Sequence, residues 1–250
     1  IAWMLGGAQR EYIVPLPEKG ESLRAIMETY TKEHSAEYQS QAVIDMAFNL
    51  HKKQLDLSKV KDVLLETSHH THYVIGTGAG DPQKMDPDAT RETLDHSVMY
   101  ILAVAWEDGT WHHVNSYTPE RAKAAAKTGL WHKIRTEEQA DWTKAYHDID
   151  PNKKKFGGKI VVTMENGEVI SEELGLANAH PAGARPFSRP EYINKFNIMT
   201  EGLLDNARKD QFFTLVNELA TLKTEQILTL NPTIKDGLLT GNCRNNEGIF

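Results

Sequence analysis

The longest apolar run of the chain lies between Thr90 and Gly109. Its apolar side chains recur at helical spacing and also fill the remaining sides, which is typical of a helix buried nearly all round. Asp95 stands where an N-cap would take up the free N–H groups of the first turn. We therefore expect His96 in the first turn and Tyr100 one turn later. Two polar groups at the start of a core helix need a partner or a function.

Apolar residues at three- and four-residue spacing predict further helices on both sides of this one. Some of them begin with clear signals, namely Thr118 followed by Pro119, and capping boxes at residues 136–139 and 188–191. The predicted helices cover residues 21–30, 35–53, 118–129, 188–203 and 209–221, with one more beginning at residues 136–139 and a short one ended by Asn231-Pro232.

Two segments show the alternation of a strand. Residues 59–71 alternate apolar and polar side chains, and residues 159–173 carry KIVVTM and EVISEE around Glu165-Asn166-Gly167, a strong hairpin signal. Residues 130–135 are a weaker strand candidate, and residues 76–88 form a Gly-, Asp- and Pro-rich loop long enough to be mobile or to cover a site. The pattern predicts an α+β fold, a small antiparallel sheet with helices packed on one side, followed by a helical tail.

The composition of the chain argues against several classes of binding partner. The net charge of -7 argues against a nucleic-acid or anionic-membrane partner, because both are recognised by basic surfaces. No apolar run approaches the roughly 18 residues of a membrane span. The single cysteine, Cys243, rules out an internal disulfide and fits a reducing, cytoplasmic compartment. We therefore expect a small-molecule ligand.

Few residues carry a recognisable chemical motif. If residues 68–72 continue a strand, His70 and His72 share a face, but a third metal ligand at recognisable spacing is missing, so we expect no metal site. His70 is then either an exposed strand-end imidazole or a contact for a substrate anion. A phosphate-binding loop and a nucleophile elbow are also missing. The remaining cationic and proton-donating groups suit a polycarboxylate ligand: Lys32, His34, Arg91, His96, Tyr100, His180 and Arg185.

Three blocks in order, TKEHSAEYQSQAVIDMAFNLHKK, RETLDHSVMYILAVAWEDG, and KIVVTMENGEVISEE followed by HPAGARPFSRPEYINKF, resemble the carboxy-terminal half of the MmgE/PrpD family. The resemblance runs over roughly residues 10–205. It implies a large helical domain and a smaller α/β lid with the active site between them. Residues 1–27 would end the helical part, 28–187 would form the lid, and 188–250 would be helices that return to a largely missing all-α domain. The resemblance also suggests a homodimer.

The family's site residues fall on particular positions of this sequence. Lys32 matches an active-site lysine just before a helix, and His96 and Tyr100 match the family's H-S-x-x-Y pattern, so these three are the predicted catalytic residues. Many relatives place a His within the stretch that is Glu37-Tyr38-Gln39 here, which leaves one proton-transfer role unassigned. Arg91, His70 and Arg185 are the predicted substrate-binding residues.

The activity implied by the resemblance is a cofactor-independent dehydration of the tricarboxylate 2-methylcitrate to 2-methylaconitate. An iron–sulfur cluster is not expected, because one cysteine cannot ligate it in the usual way. The alternatives are decarboxylation of cis-aconitate or another tricarboxylate lyase activity, a non-catalytic fragment that binds or dimerises, and a plain α+β binding module. Because residue 1 is Ile rather than Met, we expect a partial or processed chain that is inactive alone.

Overall fold

The computed structural model describes residues 18–21, 29, 31–148, 150, 152–232 and 234. The chain divides into two compact units, Ile1–Thr31 and Lys32–Phe250. In the first unit the described part includes a turn, in which the Glu21 backbone N–H donates to the Glu18 carbonyl at 3.0 Å. The helix predicted over residues 21–30 falls almost wholly outside the described residues. The predicted division into lid and returning helices stays a prediction.

The described part of the second unit contains nine α-helices and four β-strands. The strands are β1 Val60–Thr67, β2 Ile134–Glu138, β3 Gly158–Met164 and β4 Val169–Leu174. The helices are α1 Gln41–Lys52, α2 His69–Val74, α3 Arg91–Asp95, α4 Val98–Asp108, α5 Pro119–Thr128, α6 Ala140–Tyr146, α7 Arg189–Met199, α8 Asn206–Asn217 and α9 Thr224–Ile227. The predicted α+β class is confirmed.

The four strands form one sheet in the order β2-β1-β3-β4. The pairs β1–β3 and β3–β4 are antiparallel, whereas β1 and β2 are parallel. The sheet is therefore mixed rather than wholly antiparallel. In β3 every second side chain is buried, while β4 at the edge of the sheet has none fully buried. This alternation is what a sheet covered by helices on one face requires.

The core lies between this sheet and the two helices α1 and α4. These helices pack against each other, and α1 also contacts β3 and β4 while α4 contacts β2. From Val98 to Trp106 every side chain of α4 is buried. Each large apolar side chain buried in this way contributes about 1.5–3 kcal/mol. The sequence prediction of a helix buried nearly all round is confirmed.

Several local signals of the sequence hold in the structure. The hairpin turns at Gly167, whose φ of +87° is a left-handed conformation that glycine adopts without a steric penalty. Thr118 caps α5 with Pro119 at its first turn. Ser188 and Glu191 form the capping box of α7, where the Ser188 N–H donates to Glu191 Oε2 at 2.9 Å. Each of these signals lies within a few residues of the feature that it predicts.

The predicted start of the core helix is wrong. The helix α4 begins at Val98 and its N-cap is Ser97, while Asp95 ends the separate helix α3 and His96 is the C-cap of α3. Ser97 takes the cap because its hydroxyl accepts from the Tyr100 N–H at 3.2 Å and donates to the Lys84 carbonyl at 2.7 Å. His96 therefore stands at a corner between two helices and is exposed.

The histidine segment after β1 is not a strand. Strand β1 ends at Thr67, and the Ser68 hydroxyl caps helix α2 by accepting from the Thr71 N–H at 3.2 Å. His70 and His72 are thus two residues apart on a helix and do not share a face. The strand geometry that would have brought these two histidines together as possible metal ligands is therefore not present.

Residues 136–139 do not form a capping box. Residues 136–138 lie in β2, which pairs in parallel with β1 through Leu65 and Thr136, and Gln139 is the N-cap of the helix that follows. The Thr136 hydroxyl accepts from the Thr77 N–H at 2.9 Å, so it is used for tertiary contact rather than for a capping box. Helix α6 begins later, at Ala140. The helix predicted over residues 35–53 is also shortened, because α1 begins at Gln41 after a 3₁₀ turn at Tyr38–Ser40.

The loop at residues 76–88 is folded into two 3₁₀ turns, Thr77–Ala79 and Pro82–Met85. It is anchored by Lys84, whose buried ammonium donates to the His96 carbonyl at 2.7 Å. A cation at this carbonyl also opposes the negative end of α3. Within the described residues, the helices are all too short or too polar to cross a membrane.

Candidate active site

The segment from Lys32 to Ser40 carries most of the candidate chemistry, and the buried side chain of Gln41 holds its shape. Gln41 Oε1 accepts from the His34 N–H at 2.9 Å, and Gln41 Nε2 donates to the His34 carbonyl at 3.0 Å. The same nitrogen lies 3.3 Å from the carbonyls of Ala36 and Glu37. One amide thus contacts four backbone groups of an irregular segment, and it supplies the partner that the buried His34 N–H needs.

Lys32 lies at the start of this segment and is exposed. Its ammonium donates to the Ala36 carbonyl at 2.7 Å, which bends the side chain back over the turn. The ammonium is therefore held near residues 36 and 37 rather than extended into solvent. A fixed lysine costs less conformational entropy when it binds an anion than a mobile one does.

Glu37 is the acid–base group that the sequence analysis missed. Burial raises the pKa of its carboxyl group, against the opposing effects of the Gln39 and Tyr38 backbone N–H groups and of the positive charges of His96 and Lys32. The other described carboxyl groups with a resolved shift have lowered pKa values. A partly buried carboxyl group with a raised pKa beside cationic groups marks a candidate functional site.

Gln39 links Glu37 to His70. The Gln39 backbone N–H donates to Glu37 Oε2 at 2.6 Å. With its side-chain nitrogen turned to the Glu37 carboxylate, which satisfies both ends of the amide, Gln39 accepts from His70 Nε2 at 3.0 Å. The His70 ring stacks on Tyr146 with centroids 5.4 Å apart, and burial lowers the pKa of His70. The predicted substrate-binding histidine is thus connected to the carboxyl group.

His96 completes this arrangement. Its Nδ1 lies 3.0 Å from the Glu92 carbonyl, and about half of its side chain is exposed. Its charge acts on Glu37, as the charge of Lys32 does. Lys32, Glu37, Gln39, His70 and His96 are called the Glu37 group below. The structure therefore brings three of the predicted site residues together around one carboxylate.

Tyr100 lies elsewhere, in the core. Its hydroxyl donates to the Ser116 carbonyl at 2.6 Å, and its ring meets Trp131 edge-on at 5.0 Å. Burial raises the pKa of Tyr100 to about 12. The recorded contacts of this side chain are with core groups, so it supports the wall of the site from inside.

The two predicted arginines have partners outside the Glu37 group. Arg91 stands over the Tyr117 ring at 4.7 Å and donates to the His113 carbonyl at 3.2 Å. Arg185 binds both oxygens of Glu33, at 2.6 and 2.7 Å, and this hydrogen bonding raises the pKa of Arg185. Arg185 lines a cavity of about 260 Å³. Other residues of its lining are Glu33, His34, Trp111, His113 and Lys195.

Next to this cavity, Glu33, His34 and Asp45 place three potential metal-ligand atoms within 4.8 Å of one another. All three side chains already have partners. His34 Nε2 lies 3.4 Å from Asp45 Oδ1, and the Glu33 carboxylate is bound by Arg185. The guanidinium supplies the positive charge that a metal ion would bring. The cluster is therefore best described as an ion-paired support behind the segment.

The family model of the MmgE/PrpD C-terminal domain matches residues 34–221 of this chain, about three quarters of the 250 residues. The match begins within the segment that carries the Glu37 group and extends through α8.

Proposed function

The chain belongs to the MmgE/PrpD family, and from this premise we propose that it forms part of a 2-methylcitrate dehydratase. This enzyme is a cofactor-independent hydro-lyase that converts 2-methylcitrate to 2-methylaconitate in the methylcitrate cycle of propionate catabolism. The family is associated with lyase and dehydratase activity. We propose further that the enzyme works as a cytoplasmic homodimer.

The observation that carries the proposal is the position of Glu37. Its carboxyl group is partly buried, has a raised pKa and lies within the electrostatic reach of Lys32 and His96. A carboxylate with a raised pKa is a stronger base than an ordinary glutamate, which suits the removal of a proton from carbon. The neighbouring cations suit a substrate that carries several carboxylates.

The proposed reaction uses three side chains. The Glu37 carboxylate takes the proton from the carbon adjacent to the one that bears the hydroxyl group, and the electrons of that C–H bond form the C=C bond between these two carbons. The C–O bond breaks, and the hydroxyl group leaves as water with a proton from His96. Lys32 binds a substrate carboxylate and the negative charge that develops beside it. One proton is taken and one is returned, so the products are the alkene and one water molecule.

His70 and the two arginines have a different proposed role. Through Gln39, which accepts from its Nε2–H, His70 holds the Glu37 side chain in place beside the substrate. Arg91 and Arg185 have the proposed role of binding the remaining carboxylates or of steering the trianion towards the site. Tyr100 supports His96 through the helix α4 that follows it.

The proposal is tested with the natural full-length protein that carries this chain. We expect it to dehydrate 2-methylcitrate, with the new C=C bond followed by ultraviolet absorbance, and to release no CO₂ from cis-aconitate. Lys32→Ala should lower kcat/KM by about 10²- to 10³-fold, as the loss of one charge-stabilising group does. Lys61→Ala, which removes an exposed lysine on β1, should leave kcat/KM unchanged.

Three results would change the conclusion. Normal kcat/KM in Lys32→Ala would remove Lys32 from the mechanism. CO₂ release from cis-aconitate without dehydration of 2-methylcitrate would make the protein a decarboxylase. Tight binding of 2-methylcitrate without turnover would make it a binding protein.

A further inference from the structure

The helix α7 reaches back to the start of the segment that carries the Glu37 group. The Lys195 ammonium donates a hydrogen bond to the Lys32 backbone carbonyl. One turn later on the same face of α7, the Met199 sulfur accepts from the Ser35 hydroxyl at 3.4 Å. The segment is therefore held from α7 at two points, the Lys32 carbonyl and the Ser35 hydroxyl, by residues 163 or more positions further along the chain.

Stability alone does not explain a lysine at this place. Burial lowers the pKa of Lys195, the positive charge of Lys32 lowers it further, and Glu33 only partly opposes these effects. The folded state thus disfavours the charge of Lys195, which is an energetic cost rather than a gain. Such costs concentrate where a function requires the group.

We propose that Lys195 is a positioning residue for Lys32. Its ammonium fixes the carbonyl of Lys32, so that the side chain of Lys32 leaves the backbone in the direction of Ala36 and Glu37. The Glu33–Arg185 ion pair, next along the segment, keeps the adjacent residue from turning. Without Lys195 the Lys32 peptide is free to rotate, and the Lys32 ammonium loses its fixed position beside Glu37. The kinetic part of this inference rests on the proposed function.

The first test is kinetic and compares Lys195→Met with Lys195→Arg in the full-length protein. Lys195→Met keeps the length of the side chain but removes the donor. We expect kcat to fall by about 10- to 100-fold with little change in KM, because misplacement of a catalytic group by about 1 Å costs up to about 10²-fold. Lys195→Arg keeps a cationic donor and should recover most of the lost kcat.

The second test does not depend on activity. An amine-selective acylating reagent is used at limiting concentration, and the labelling of each lysine is followed by mass spectrometry of peptides. Lys32 should be labelled faster in Lys195→Met than in the parent, because its hydrogen bond to the Ala36 carbonyl is weakened. The exposed Lys61 serves as the internal reference and should be labelled at the same rate in both proteins.

Lys133→Met is the matched control variant. Lys133 also donates from its ammonium to a backbone carbonyl, that of Val60, at 2.6 Å. Lys133→Met should lower the free energy of unfolding without changing kcat or the labelling of Lys32. Should Lys195→Met fail to fold, Lys195→Gln carries the same two measurements.

The possible outcomes distinguish the positioning role of Lys195 from the proposed function. Unchanged labelling of Lys32 together with unchanged kcat in the folded Lys195 variant would overturn the positioning role. Faster labelling of Lys32 in a protein that dehydrates none of the tricarboxylates would support the positioning role while refuting the proposed function. A fall in kcat that Lys195→Arg does not recover would also count against positioning by a cationic donor.

Discussion

Gln41→Met is the sharpest test of how the catalytic segment is held. Methionine has nearly the length and volume of glutamine but none of its hydrogen-bonding groups, so the packing of α1 is retained while the amide is lost. Gln41 is 3% exposed, which keeps water from replacing the lost partner directly. The effect of the substitution therefore measures the amide itself.

The expected loss of stability depends on which other hydrogen-bond partners each backbone group retains. The carbonyls of His34, Ala36 and Glu37 retain other donors, namely the Ala36 N–H at 2.8 Å, the Lys32 ammonium at 2.7 Å and the Ser40 N–H at 3.2 Å. The His34 N–H loses its bond to Gln41, and a buried unsatisfied donor costs about 1–3 kcal/mol. The lost bond to the His34 carbonyl adds about 1 kcal/mol. We expect a total loss of about 2–4 kcal/mol.

The assay is urea unfolding followed by fluorescence of the five tryptophans. The slope of the transition should stay the same while its midpoint falls, since only the stability changes. Gln83→Met, at an exposed position, is the control and should change the free energy of unfolding by less than about 0.5 kcal/mol. If the two variants unfold at the same midpoint, Gln41 does not hold the segment and the reasoning is wrong.

Three further predictions concern single residues. Tyr100→Phe strands the buried Ser116 carbonyl and should lower the free energy of unfolding by about 1–3 kcal/mol in urea; a loss of kcat/KM at full stability would instead place the hydroxyl in the reaction. Gly157→Ala would put a Cβ atom 1.8 Å from the Leu174 carbonyl oxygen, so calorimetry should show a loss of at least about 3 kcal/mol, and a normal Tm would contradict the close approach. Glu37 has a higher pKa folded than unfolded, so its contribution to stability is present below pH 4.5 and is lost as pH rises through the folded-state pKa. Glu37→Gln cannot ionise, so in urea unfolding at several pH values its stability relative to the parent should rise with pH, and a constant difference would show that burial does not act on Glu37.

The parts of the fold that the sequence predicted well depend on local signals. The hairpin at residues 159–173 is marked by its own turn, and the buried helix α4 by its unbroken apolar run. The errors arose where a distant contact decided between two local possibilities. Both Asp95 and Ser97 are good N-caps, and the choice of Ser97 depends on its bond to Lys84, 13 residues away. Thr136 was assigned to a capping box because its partner strand, 71 residues earlier at Leu65, is not visible from local pattern.

Some residues of the candidate site could likewise be predicted from the sequence, and one could not. Lys32, His70 and His96 could be named from the family resemblance and from their chemistry. Glu37 could not, because an exposed-looking glutamate in TKEHSAEYQSQ gives no sign that distant elements will bury it. Its raised pKa comes from burial, which depends on chain segments remote in sequence. A carboxylate five residues after a candidate catalytic lysine was the available signal, and by itself it is a weak one.

The segment from Lys32 to Ser40 has two sides, and they explain why the predicted residues separated. Lys32, Glu37 and Gln39 interact with His70 and His96, to which we assign the chemistry, whereas Glu33 and His34 turn to Arg185 and Asp45. Different residues of one irregular stretch thus serve chemistry and support. Because the support comes partly from Arg185 and α7, substitutions after residue 184 should alter the Glu37 group without touching it. The geometry of the site is therefore set jointly by α1 and by the helix α7 that follows it in the chain.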